Sequence, residues 1–209
     1  MEKRTTHTQL ASADIAQAAQ VLAEEGVVVY PTDTVYGLGA DATSAAAVAR
    51  VRAIKSRDDT KPILVTVSDE DMLARYAVVT PLAKALMAAF LPGPLTLVLA
   101  QRGNALTAVA RDDGSVGFRL PASTVCVELV RRFGRPITST SVNRSGMPQP
   151  RALTDMLTQV GEHVNDIGLV LDGGLLPVSA PSTVVDARGV RAELVREGAV
   201  SRTSLLRFF

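Results

Sequence analysis

The chain has 209 residues, 47% of them hydrophobic and 21% charged, which points to one globular domain with a sizeable core and excludes a disordered or low-complexity chain. Its 22 basic and 21 acidic residues leave a formal charge of +1, so the molecule as a whole is not drawn to nucleic acid or an anionic membrane, and any basic site must be local. Cys126 is the single cysteine and excludes an internal disulfide, no run approaches the roughly 18 apolar residues of a membrane span, and MEKRTTHTQL has no apolar signal core, which together fit a reducing, cytoplasmic setting.

In chain order, residues 1–10 read as a flexible terminus and 11–209 as one domain. SADIAQAAQVLAEEG reads as a helix: Ser12 can cap it, Ile15, Ala18, Ala19 and Leu22 share a face, and Gly26 can stop it. A strand over 27–30 follows at once. Val27 to Tyr30 are β-branched or aromatic, as a sheet interior requires, but the run breaks at Pro31, Thr32, Asp33 and Thr34 before strand character returns at Val35 and Tyr36. Two threonines and an aspartate are out of place in a core strand. A second helix, SAAAVARVRAIKS, ends in the charged loop KSRDDTKP before the apolar run ILVTV, and such a helix-to-strand loop is a site-building position. Helices are predicted over 69–76, over 81–90 with Pro81 at the first position, over 123–133, over 152–160 and near the C-terminus. Strands are predicted over 95–99, 116–120, 136–139, 168–171, 182–186 and 192–196. The interleaving without strict alternation predicts an α/β protein of the α+β type, a mixed sheet with helices packed on it.

GLGADA, residues 37–42, matches G-x-G-x-x-A, with Asp58 and Asp59 about 20 residues on. That acidic pair follows a helix and precedes a strand, whereas a dinucleotide site needs its acid at the far end of the next strand. Gly37 and Gly39 therefore read as tight-turn or close-approach glycines. The sequence contains no P-loop and no G-x-S-x-G elbow, and His7 and His163 stand apart from any ligand set, so no metal site is predicted. Cys126, in TVCVELV, reads as a small buried hydrophobe.

Lys55, Arg57 and Lys61 place three cations in KSRDDTKP, as a solvated loop or as an anion grip. RPITSTSVNRSGMPQP, residues 135–150, carries a short strand into a row of hydroxyls. Ser139 and Ser141 share one side of an extended backbone, with Asn143 next in the series. Such a row can grip phosphate or carboxylate oxygens, or cap the helix that follows. Arg119, inside the apolar strand VGFRLP, should meet an anion. Ser182 and Thr183 follow Pro181 at another strand start. Polar groups at several strand ends describe a cleft.

At this point the sequence resembles the YrdC/TsaC family, threonylcarbamoyl-AMP synthases. The resemblance runs from VVVYPTDTVYGLGADA through KSRDDTKPILVTV, FLPGPLTLVL, VGFRLP, TSTSVNRSG and APSTVVD to LVREGAV. It implies a single-domain synthase without the further C-terminal domain of longer relatives, built as a twisted mixed α/β sheet around a deep, basic concave face. The implied reaction joins L-threonine, bicarbonate and ATP into threonylcarbamoyl-adenylate and pyrophosphate, the first stage of modifying tRNA adenosine 37. Carried over by position, Thr34, Thr66, Arg119, Ser139 and Ser182 resemble the contacts to L-threonine, with Arg119 on its carboxylate. Lys55 and Arg57 match a K-x-R pair and Ser141 with Asn143 an S-x-N pair, which together resemble the catalytic grip on the ATP phosphates. Lys61, Ser115, Gln149 and Arg196 fall where relatives touch the nucleotide. The chain departs from the family at Asp58, where proline is usual, at Thr66, where many relatives have histidine, and at Gln149, where serine is common.

On this reading the nucleophile is an N-carboxy-threonine, magnesium arrives with ATP, and the adenylate passes to proteins that transfer the threonylcarbamoyl group to tRNA. Two other readings stay open. One is a non-catalytic RNA-binding module with Arg131, Arg132, Arg135, Arg144 and Arg151 on phosphates, against which stand the near-zero net charge and 4% aromatic content. The other is a relative that forms a different carbamoyl-adenylate, as the matching domain of hydrogenase-maturation carbamoyltransferases does.

Overall fold

The computed structural model describes residues 4–6 (backbone), 10–56, 62–143, 152–176 and 179–209. The element order is β1 (Arg4–Thr6), α1 (Ser12–Ala23), β2 (Val28–Pro31), β3 (Tyr36–Gly39), α2 (Ala45–Lys55), β4 (Val65–Thr66), α3 (Glu70–Tyr76) and α4 (Pro81–Phe90). It continues with β5 (Leu95–Ala100), β6 (Ser115–Arg119), α5 (Thr124–Phe133), β7 (Ile137–Thr138), β8 (Thr140–Ser141) and α6 (Leu153–Val160). A 3-10 turn at Gly161–Asp166 leads to β9 (Leu169–Asp172), β10 (Thr183–Asp186), β11 (Glu193–Arg196) and α7 (Arg202–Leu205). No helix among the described residues is long and apolar enough to cross a membrane.

The expected mixed α/β class is the one found, with the strands divided between two sheets. One has the order β1-β9-β2-β3-β8 and the other β11-β10-β5-β6-β4-β7, and each mixes parallel and antiparallel pairs. Every residue of β2, β3 and β6 is buried, so these strands do not alternate between core and solvent, and the two polar residues of β6, Ser115 and Arg119, are buried with the rest. Arg4–Thr6, inside the terminus expected to be flexible, pairs in parallel with Val170–Asp172.

The chain passes from one sheet to the other at Ser139. Just before it, β7 pairs antiparallel with β4; just after it, β8 pairs antiparallel with β3. Thr138 fastens the crossing, because its hydroxyl accepts from the Ala40 N–H at 2.9 Å and donates to the Leu38 carbonyl at 3.0 Å. A strand that changes sheets opens a gap between them, and its hydroxyls line that gap.

Helix boundaries follow local chemistry. Thr80 and Ser123 cap α4 and α5 through hydroxyls that accept from N–H groups three residues on, and Pro81 occupies the first turn of α4. Ser12 is not a cap, contrary to expectation: Asp14 reaches back to the Ala11 N–H at 2.9 Å, and the Ser12 hydroxyl instead accepts from Arg132 at 2.6 Å. The close-approach reading of Gly37 and Gly39 is right. A Cβ on either would sit 2.8 or 2.7 Å from the ring of buried Tyr30, which β3 crosses.

Candidate active site

A cavity of about 710 Å³ lies where the two sheets meet. Its wall draws on the β2–β3 turn, the sheet-crossing segment at 139–143, the end of β6, the start of β10 and the end of β11. The turn explains the polar break in the first strand. Thr32 closes it: the hydroxyl donates to the Val35 carbonyl at 2.6 Å and accepts from the N–H groups of Thr34 and Val35 at 3.2 and 3.1 Å. Thr34 is thereby presented at the cavity.

Arg119 ends β6 and is 4% exposed. Its Nη1 donates to the Thr34 hydroxyl at 3.1 Å and its Nη2 to Asp33 Oδ1 at 2.6 Å, while its Nε–H is buried without a partner. The other Asp33 oxygen accepts from the Ala122 N–H at 3.2 Å. The anion that sequence reasoning required for Arg119 is thus in part internal. A guanidinium carries five N–H donors, of which these contacts engage two.

Lys55, at the end of α2, is 3% exposed and donates through Nζ to the Ser141 carbonyl, to the Asn143 carbonyl at 2.9 Å and to Asn143 Oδ1 at 3.2 Å. The Ser141 hydroxyl also donates to Asn143 Oδ1, at 2.5 Å. The Asn143 amide oxygen is thereby turned toward these two donors. The lysine of the expected K-x-R pair and the serine and asparagine of the S-x-N pair therefore form one cluster.

Of the other expected residues, Ser139, Ser182 and Arg196 line the cavity together with Thr34, Arg119, Ser141 and Asn143. The Ser182 hydroxyl shares a hydrogen bond with Thr96 at 2.8 Å, and its carbonyl accepts from Arg196 Nη2 at 2.8 Å. Burial, and then the neighbouring charge of Arg119, disfavours the protonated form of Arg196. Two other expected contacts stand outside the lining. Thr66 is fully buried in β4 beside the Tyr30 phenol. Ser115 is fully buried at the start of β6, four residues and about 13 Å of strand from Arg119. Arg57, Lys61 and Gln149 lie outside the described residues.

Sequence reasoning missed Arg111, a third arginine in the cavity wall, and gave Asp33 no partner. The Arg111 loop is held at the surface by Arg188, which bridges Asp113 at 2.6 Å and Asp186 at 2.7 Å. Nothing in ARDDG distinguishes that arginine from a solvated one. Among the described residues, the lining holds no Asp or Glu beside its three arginines. Beneath the Arg119 end lie two inert groups: burial pushes the Tyr30 phenol and the Cys126 thiol far above their usual ranges. Cys126 is the buried small residue expected. Among the described residues no group of three or more His, Cys, Asp or Glu could hold a metal ion.

Comparison with known proteins bears on the family and the fold. Residues 20–198 match the Sua5/YciO/YrdC family model, described as telomere recombination. The chain is 34% identical over 193 residues to the threonylcarbamoyl-AMP synthase of Bacillus subtilis, covering 91% of this chain and 55% of that protein. It is 34% identical over 173 residues to the threonylcarbamoyl-AMP synthase of Alkalilimnicola ehrlichii, covering 83% of this chain and 90% of that one. The crystal structure of P. abyssi Sua5 complexed with L-threonine superposes with a TM-score of 0.86 at 30% identity, over 96% of this chain and 58% of that chain. The chain thus spans little more than half the length of two of these relatives. With the family model matched over residues 20–198 and the fold shared with its relatives, the chain belongs to the Sua5/YciO/YrdC family.

Proposed function

We propose that the protein is an L-threonylcarbamoyl-adenylate synthase, a nucleotidyltransferase that makes threonylcarbamoyl-AMP and pyrophosphate from L-threonine, bicarbonate and ATP for the modification of tRNA adenosine 37. The observation that carries this reading is the Arg119 end of the cavity. A buried guanidinium with donors to spare, set beside the Thr34 and Ser182 hydroxyls, suits a small amino acid held by its carboxylate. The named relatives and the L-threonine complex support the same substrate.

In the reaction, the threonine amine adds to the carbon of bicarbonate with loss of water, giving an N-carboxylate. One oxygen of that carboxylate attacks the α-phosphorus of ATP, the bond to the β-phosphate oxygen breaks, and pyrophosphate leaves. Such a transfer depends on positioning and charge neutralisation rather than on a strong general base. Arg111 and Arg196 are the lining cations suited to the phosphates, with the Ser141–Asn143 pair beside them and Lys55 fixing both residues. The family resemblance adds Arg57, Lys61 and Gln149 to the nucleotide contacts. We read magnesium as part of the ATP substrate, carried on its phosphates. The product would pass to proteins that transfer the threonylcarbamoyl group to tRNA, in the cytoplasm. Arg131, Arg132 and Arg135, offered as RNA contacts in the rival reading, pair with Glu128 and Asp41 away from the cavity lining.

The test is pyrophosphate release from ATP with L-threonine and bicarbonate omitted in turn. Dependence on both supports the proposal, and equal release with carbamoyl phosphate in place of both favours the other carbamoyl-adenylate chemistry.

A further inference from the structure

The three arginines of the cavity are not electrically equivalent. Arg119 is ion-paired, Nη2 to Asp33 Oδ1 at 2.6 Å, with the two side chains only 5% and 12% exposed. Arg111 and Arg196 make no ion pair among the described residues. Asp33 does not line the cavity, whereas Thr34 and Arg119 do, and both Asp33 oxygens are engaged, one by Arg119 and one by the Ala122 N–H. It is therefore placed as a fixed bracket on the arginine.

We propose that Asp33 is the specificity-determining residue of the Arg119 end: by neutralising that one arginine and fixing it through Nη2, it makes this end accept a carboxylate and turn away a phosphate. The inference rests on the synthase reading for the identity of the carboxylate, L-threonine. A buried pair is poorly screened by solvent and salt, so an incoming anion meets the Asp33 charge as well as the guanidinium. A carboxylate brings one negative charge and can use the remaining N–H donors. A phosphate brings close to two at neutral pH, and the second is repelled by Asp33. Arg111 and Arg196, without an ion pair among the described residues and with only the more distant Asp186 charge acting on Arg111, draw the polyanion. One cavity thereby sorts two anionic substrates that would otherwise compete for the same arginine, since a guanidinium by itself recognises both.

The experiment measures L-threonine binding by calorimetry with and without inorganic phosphate, in the absence of ATP, for the unaltered protein, Asp33→Asn and Asp33→Glu. KM values for L-threonine and ATP are measured alongside. Phosphate is expected not to displace L-threonine from the unaltered protein or from Asp33→Glu. In Asp33→Asn it is expected to compete, weakening L-threonine binding about tenfold or more, while the KM for ATP changes little. Competition by phosphate in the unaltered protein, or an Asp33→Asn protein indifferent to phosphate, overturns the inference. Should Asp33→Asn fail to fold, Asp33→Ser, which also removes the charge, carries the same expectation and the same overturning result. An unaltered protein that binds no L-threonine removes the synthase reading and this inference together. One that binds and uses L-threonine, with Asp33→Asn unchanged, removes this inference alone.

Discussion

Lys55 and Asn143 are 88 residues apart in the chain, and the lysine ammonium donates to both the backbone and the side-chain oxygen of the asparagine. The contact joins the end of α2 to the strand that crosses between the sheets, so it fixes the polar rim of the cavity from behind. Lys55→Met keeps the aliphatic stem and removes the donor. Leaving such acceptors unmet costs about 1–3 kcal/mol, which for a domain of this size lowers Tm by several degrees. The KM for ATP should rise in parallel, because Ser141 and Asn143 lose their common anchor. Scanning calorimetry and steady-state kinetics check this; an unchanged Tm would mean that the ammonium does not hold the rim.

Arg119→Lys should weaken L-threonine use far more than ATP use. The guanidinium spans Thr34 and Asp33 and still has donors left, whereas an ammonium has three in all and cannot hold a carboxylate in two parallel bonds. The KM for L-threonine is expected to rise roughly tenfold or more. An unchanged value beside a raised KM for ATP would assign the arginine to the nucleotide instead.

Gly198 is the backbone support of Ser182. A Cβ at this position would lie 2.1 Å from the Pro181 carbonyl oxygen and 2.7 Å from the Ser182 carbonyl carbon. The Thr183 hydroxyl binds the two segments together, accepting from the Gly198 and Val200 N–H groups at 2.9 and 3.0 Å. Gly198→Ala must push backbone apart, at a cost of about 1–3 kcal/mol, and should weaken L-threonine binding by displacing Ser182. Gly189→Ala, where the nearest atom is 3.5 Å away, is the control and should stay within about 0.5 kcal/mol of the unaltered protein by denaturant unfolding.

Asp113 titrates low. The Ser115 hydroxyl and N–H beside it, and then the Arg188 guanidinium, hold its carboxyl down to about 2. A depressed folded-state value stabilises the fold above the unfolded value of about 3.9 and loses that contribution as pH falls toward about 2. Arg188→Gln should move the Asp113 titration part-way back up, since the Ser115 contacts remain, and should loosen the loop that carries Arg111. Carboxyl NMR across the acid range reads the shift; an unmoved titration would show that Arg188 contributes nothing to holding the loop.

Local chemistry made much of the fold legible. Pro81 and its Thr80 cap give α4 the predicted limits of 81–90, and β-branched runs mark β2, β5 and β10 within a residue or two. The division into two sheets was not legible, because it turns on Ser139 leaving one sheet as Thr140 joins the other, a matter of non-local pairing that a short polar strand does not encode. The same limit hid the Arg119–Asp33 pair. The arginine announced a missing anion, but its partner stands 86 residues earlier in a turn that reads as substrate edge. Thr66 and Ser115, assigned by position in a motif, stand outside the lining although they share the Arg119 face of the sheet, Thr66 as its partner in register and Ser115 four residues back along β6, because both are fully buried there.

The most direct measurement of the central claim is mass spectrometry of the adenylate formed from ATP, L-threonine and isotopically labelled bicarbonate. The account predicts a threonylcarbamoyl-adenylate that carries the heavy carbon, disappears when either L-threonine or bicarbonate is withheld, and falls sharply in Arg119→Lys. An adenylate that forms without L-threonine, or one that lacks the labelled carbon, would contradict it.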